Sequence, residues 1–177
     1  MKKDLLTHFT FTAAIFILVT LLKGWFDLVY LSFWIGGVIG TLLPDIDYLI
    51  HVYLLNPQSS DARTTAQLIS QKKVTRTWEM VAHARNQNSE LLFHTISFQL
   101  VFWVFAIFVI TSTGSILAKG IVLAFSLHLT IDQATDLMER GNLNLWFEKA
   151  PFNLDQHRQK LYLLANILLL LVLILFL

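Results

Sequence analysis

Leu42-Leu43-Pro44-Asp45-Ile46-Asp47 closes an apolar run that begins at Tyr30, so a proline and two carboxylates follow directly on a hydrophobic helix. Unpaired acids that close to hydrocarbon cost roughly 2.5–3.5 kcal/mol each, and their presence there points to a functional site with cationic partners. The candidate partners are His8, His94 and His128, with Asp132 as a further acid, each near the end of a different apolar run. Whether they form a site depends on whether the fold brings those ends together.

Composition sets the class. Of 177 residues, 55% are hydrophobic and 14% charged, and the mean hydropathy is +0.61. The apolar residues fall in runs rather than helical stripes, as in an integral membrane protein. The length suits a single domain over 1–177, and no Gly/Ser-rich or Pro-rich linker or internal repeat divides it. Cysteine is absent, which excludes disulfides, thiolate metal sites and Cys nucleophiles. Any metal must therefore be held by imidazole and carboxylate.

Upstream of Pro44, Gly36, Gly37 and Gly40 would let a neighbouring helix approach closely. Before them, Lys2 and Lys3 precede an apolar run from Phe9 to Leu22 that stops at Lys23-Gly24-Trp25. No small-residue cleavage site follows, so this is a retained helix rather than a signal peptide. Downstream, residues 56–88 are too polar to cross a bilayer. Val74, Trp78, Val81 and Ala82 recur there at helical spacing among Lys72, Lys73, Arg76 and Arg85. Both an amphipathic helix on anionic headgroups and a solvated helix packed on the protein fit that pattern. The spans are expected at about 5–22, 28–44, 90–111, 115–139 and 160–177. The fold class is thus an all-α integral membrane protein of about five transmembrane helices plus interfacial amphipathic segments. The last span is almost purely aliphatic and suits anchorage and packing.

Crossing the bilayer once per span puts the start of the first and third helices and the end of the second and fourth on one side. His8, Asp45, Asp47, His94, His128 and Asp132 then share one depth. That side also holds 11 of the 13 Lys and Arg residues, leaving Lys23 and Lys119 opposite. The positive-inside rule makes it cytoplasmic, giving a multi-pass protein of the cell (inner) membrane with a cytoplasmic N-terminus.

His128 and Asp132 stand four apart and share a helix face, with Asp136 one turn further on. Glu90 and His94 repeat the spacing. With His8, Asp45 and Asp47 these groups offer a donor mixture suited to Zn²⁺, or to Mn²⁺, as one ion or two. Each also has a plainer reading. His8 suits a helix-to-helix hydrogen bond, Asp45 a cap on the next turn, and Glu90 an acid favoured by a helix dipole. His51, His83 and His157 lie in polar or interfacial segments and read as exposed.

Pro44-Asp45-Ile46-Asp47, the His94 block and His128-Leu129-Thr130-Ile131-Asp132-Gln133-Ala134-Thr135 resemble the signature blocks of the YdjM-like membrane-bound metal-dependent hydrolases. That family runs an early His, P-D-I-D-H, H-R-G-x-T-H-S, S-H-x-x-x-D-x-x-T and a later L-W-P. His8, Asp45, Asp47, His94, His128, Asp132 and Thr135 match in order, and Leu145-Trp146 is similar to the last block. Two departures stand out. Tyr48 replaces the His after P-D-I-D, with His51 one turn on, and Ser89–Thr95 keeps only the second His of its block, where Glu90 is the candidate replacement ligand. The family is itself similar to zinc-dependent phospholipase C and P1-type nucleases.

The resemblance implies metal-assisted hydrolysis of a phosphoester in a lipid or amphiphile at the cytoplasmic membrane face. His8, Asp45, Asp47, His94, His128 and Asp132 would hold the metal, and Asp47 and Glu90 are the candidate catalytic groups. Membrane lipids and an amphiphilic phosphoester are the expected partners. No nucleic-acid motif is present, and nothing in the chain fixes an oligomeric state. Two other classes remain open: a cation- or proton-linked transporter, and a non-catalytic membrane protein with a structural metal site.

Overall fold

The computed structural model describes residues 2–50, 63, 71, 91–112 and 114–177. The expected polar segment 56–88, apart from Arg63 and Gln71, and Glu90, His51 and His83 lie outside the described residues. Among the described residues every regular element is helical: α1 Lys2–Lys23, a 3₁₀ turn Leu28–Tyr30, α2 Leu31–Leu42, α3 Ile46–Ile50, α4 Ile96–Ser112, α5 Ile116–Arg140, α6 Asn144–Phe147 and α7 Gln156–Phe176.

α5 is the central rod. Its stretch from Val122 to Gln133 is buried without interruption, because Ser126, His128, Thr130, Asp132 and Gln133 cannot face hydrocarbon and must find partners inside. The helix starts where Ser115 Oγ accepts from the Ala118 amide at 3.2 Å and stops at Gly141, whose φ of +73° lies in the left-handed region that glycine adopts without a Cβ penalty. α1, α2, α4 and α7 surround it.

The outer helices turn large apolar side chains outward. Leu21 and Leu22 on α1, Val101, Val104 and Phe108 on α4, and Leu168 and Leu175 on α7 are all exposed. An apolar belt of that extent has no place in water, and α1, α5 and α7 are each long and apolar enough to cross a membrane. α2 with its preceding turn, Leu28–Leu42, and α4, Ile96–Ser112, are apolar but shorter.

The expected helix over 28–44 opens as the 3₁₀ turn and loses its ladder after Leu42, two residues before Pro44, whose missing amide cannot continue it. The expected helix over 90–111 begins only at Ile96, so His94 precedes α4 instead of sitting one turn inside it. The cause is local: Thr95 Oγ1 accepts from the Phe98 amide at 3.3 Å and caps the helix there. α7 starts at Gln156 rather than about residue 160 because Asp155 Oδ1 caps it, accepting from the Arg158 amide at 2.8 Å.

Gly36 and Gly40 of α2 face α5, while Gly37 faces the Phe16 ring of α1. A Cβ on Gly36 would run into the Leu117 carbonyl, one on Gly40 into the Ile121 carbonyl, and one on Gly120 of α5 into the Phe33 carbonyl. Backbone therefore packs on backbone, as small residues permit between membrane helices.

Below the site lies a buried amide network. Gln133 Nε2 donates to Gln99 Oε1 at 2.5 Å, Asn166 Nδ2 donates to Gln133 Oε1 at 2.8 Å, and Trp103 Nε1 donates to Asn166 Oδ1 at 3.1 Å. Tyr162 also donates to Gln99 Oε1. The last span thus does more than anchor, since Asn166 ties α7 to α4 and α5. Asn166→Ala should lower stability by about 1–3 kcal/mol, because it leaves the Trp103 N–H and the Gln133 carbonyl oxygen buried without this partner. Thermal unfolding in detergent reads this, and an unchanged midpoint would mean that the network re-pairs as a whole.

Candidate metal centre

Asp132, in the C-terminal half of α5, is the hub. His8 Nε2 lies 2.9 Å from its Oδ1, while His94 Nε2 and His128 Nε2 lie 3.1 and 3.2 Å from its Oδ2. Three imidazoles from α1, the segment before α4, and α5 thus converge on one buried carboxylate. Their contact puts the start of α1, the end of α2, the approach to α4 and the C-terminal half of α5 at one end of the bundle. The ligand atoms of His8, His128 and Asp132 all lie within 4.8 Å of one another.

Ring orientation follows from what the other nitrogens do. His128 Nδ1 is 2.6 Å from the Thr41 carbonyl oxygen. A carbonyl can only accept, so Nδ1 carries the proton and a neutral ring presents a bare lone pair at Nε2. Thr41 lies in the last turn of α2, whose carbonyls lack helical donors once Pro44 breaks the chain. His128 Nε2 is buried and has no hydrogen-bond partner. It faces Asp132 Oδ2 at 3.2 Å and Asp45 Oδ1 at 3.8 Å. A lone pair against two acidic oxygens in a dry site is repulsive unless a cation lies among them.

A proton or a metal ion would meet that need, and the ring stack adds to the geometry. His8 and His128 are stacked with centroids 3.9 Å apart and planes 20° apart. Neutral imidazoles with parallel planes and Nε2 atoms turned to a common centre are the form that ligates a metal. The donor set therefore fits a divalent transition ion.

Asp47 lies one layer out. Its Oδ1 accepts from the Leu92 amide at 2.9 Å, and its Oδ2 accepts from the Phe93 amide at 2.5 Å and lies 3.2 Å from His94 Nδ1. Both oxygens are engaged, so Asp47 acts on the centre through His94, holding the residues before α4 against α3 and fixing the imidazole's orientation. Asp45 is partly exposed. Glu90 lies outside the described residues, while His157 is exposed.

One participant escaped the reading of side-chain types, and another, Trp146, entered only through the resemblance of Leu145-Trp146 to a motif block. The Thr41 carbonyl is a backbone group, and its only sequence signal is the proline three residues on. Trp146 lies with its ring 5.4 Å from that of His94, while its Nε1 donates to Asp136 Oδ2 at 2.8 Å. Asp136, although on the same face of α5 as His128 and Asp132, therefore serves the wall rather than the centre. Comparison with family models, curated proteins and solved structures finds no match.

Proposed function

We propose that this chain is a membrane-embedded, metal-dependent hydrolase that cleaves a phosphoester of a lipid or amphiphile at the cytoplasmic face of the cell membrane. α2 and α4 complete five crossings as shortened spans, with the N-terminus cytoplasmic. The observation that carries the reading is the buried Nε2 of His128, which has no hydrogen-bond partner and lies 3.2 Å from Asp132 Oδ2 and 3.8 Å from Asp45 Oδ1. The resemblance of the ordered blocks around Asp45, His94 and His128 to those of the YdjM-like hydrolases also supports it.

In this reading His8, His94, His128 and Asp132 hold a divalent ion, Zn²⁺ or Mn²⁺, with Asp45 at the open side as a further ligand or bridge to a second ion. When bound, such an ion lowers the pKa of coordinated water toward about 7 and neutralises charge developing on a phosphoryl group. The chain's own contribution is orientation and dryness. Thr41 and Asp47 fix the outward nitrogens of His128 and His94, the arrangement by which outer groups set ligand basicity. Asp47→Asn should weaken metal binding by about 10–100-fold, since carboxylates that orient ligating histidines carry that much affinity. Competition with a chromophoric chelator measures it, and wild-type affinity in the variant would remove Asp47 from the design.

A structural metal staple is the second reading, favoured by the loss of the first His, the Arg and the Gly from the His94 block. Transport has less support, because the core beyond the amide network, with Phe16, Phe33, Val109, Ile110 and Leu123, is apolar. Elemental analysis of the purified protein, followed by a phosphoester and lipid hydrolysis panel, separates these. Stoichiometric metal with turnover is the expected result. Metal without turnover leaves the staple, and absence of metal overturns the proposal.

A further inference from the structure

A cavity of about 660 Å³ lies between α1, α5 and α7, and His8 is part of its wall. Its polarity runs one way. Thr7, His8, Thr135 and Glu139 line it at the end of the bundle that carries the cluster, whereas Ile15, Leu170 and Ile174 line it further along. On α5 alone the lining extends from Glu139 to Leu127, roughly 18 Å at 1.5 Å per residue. The volume falls within the range of single-ligand sites, about 300–1,000 Å³.

α1 and α7 both lie against α5 instead of packing along each other, and they are tied at their far ends, where Lys23 Nζ donates to the Leu175 carbonyl oxygen at 3.1 Å. Phe11 and Leu171, each about half exposed at 52% and 50%, flank the gap on the lipid-facing side. A long apolar slot with one polar end beside the candidate metal cluster, edged by half-exposed apolar side chains, has the shape and chemistry of an amphiphile.

We infer that this cleft holds a hydrocarbon chain of a membrane lipid, with the lipid's phosphoester head presented to the His8–His128–Asp132 cluster. The head placement rests on the hydrolase reading, whereas the chain site needs only the cleft. Seating the chain in the slot gains van der Waals contacts that do not depend on the reacting bond, since a chain arriving from lipid leaves no water behind. It also fixes the head at one depth. Binding should therefore depend on chain length and be indifferent to metal.

The test uses the full chain in phosphatidylcholine nanodiscs carrying a trace of hexadecylphosphocholine with a mid-chain diazirine, with cross-links mapped by mass spectrometry. Labelling should concentrate on Ile15, Leu170 and Ile174, be displaced by unlabelled hexadecylphosphocholine, and resist displacement by butylphosphocholine. Ala134→Phe, which fills the slot from α5, and Leu171→Trp, which narrows its mouth from the lipid side, should each reduce that labelling several-fold with bound metal unchanged. Labelling spread equally over lipid-facing residues such as Val104 and Leu168, or unaltered in both variants, overturns the inference. The metal reading fails separately: concentrated labelling on a wild-type protein without metal keeps the chain site and removes the hydrolase, and stoichiometric metal with uniform labelling does the reverse.

Discussion

Alanine at His128 should weaken the proposed metal binding by more than about 100-fold, exceeding the 10–100-fold range set by outer orienting groups. The reason is that this imidazole does two things at once. Its Nδ1 is fixed by the Thr41 carbonyl at 2.6 Å, and its Nε2 is left bare among the acidic oxygens. No neighbouring group can take over both duties, since His8 already reaches Asp132 Oδ1 from the other ring of the stack. The substitution also orphans the Thr41 carbonyl, at a cost of about 1–3 kcal/mol, so metal loss must be separated from unfolding. Asp132→Asn provides that separation. It keeps the side-chain volume and removes the charge on which three imidazoles converge, and it should lose metal to a similar degree while the helical circular dichroism is retained. Wild-type metal content in both variants would refute the centre. The same pair tests the protonic alternative, in which the purified protein carries no stoichiometric metal for either substitution to remove.

What the sequence made legible about this site follows from how local each contact is. His128 and Asp132 are four apart on one helix, and that spacing alone places them together. His8 has no neighbour of its kind, and only the alternation of apolar runs across a bilayer assigns it to the same end. His94 is a harder case. Its level is right, but its setting is a capped segment, because Asp47 reaches across the chain to take the Leu92 and Phe93 amides. That long-range capture has no counterpart in hydropathy, although Thr95 is a recognisable cap residue. The same limit applies to helix ends. Apolar composition marks what can be buried, and it is silent on where Pro44 or Thr95 interrupts the ladder. Partners of lone amides were equally hidden: Gln99, Gln133 and Asn166 sit on three different helices, and each reads singly as an isolated polar residue in an apolar run. The glycines announced a close contact without naming α5 as the other side.

That contact carries the second large effect. Gly40→Val should destabilise the protein by more than about 3 kcal/mol, above the usual 1–3 kcal/mol range for overpacking, and should remove the proposed metal with it. A Cβ at Gly40 would fall on the Ile121 carbonyl and meet the Ala124 Cβ at 3.0 Å. The first obstacle is backbone within a helix, so no rotamer relieves it, and α2 must move off α5. Thr41 is the next residue and moves with it, which breaks the bond that sets the His128 ring, and Asp45 follows at the end of the same segment. The substitution thus couples packing to chemistry, whereas Asn166→Ala should loosen the bundle and leave the metal in place. Gly36→Ala, which meets the Leu117 carbonyl further from the site, should cost stability while losing less metal. Gly114→Ala, with open space around its Cβ, should behave as wild type. Thermal unfolding in detergent paired with elemental analysis reads all four. If Gly40→Val keeps both its midpoint and its metal, the close approach of α2 to α5 does not set the position of the His128 imidazole.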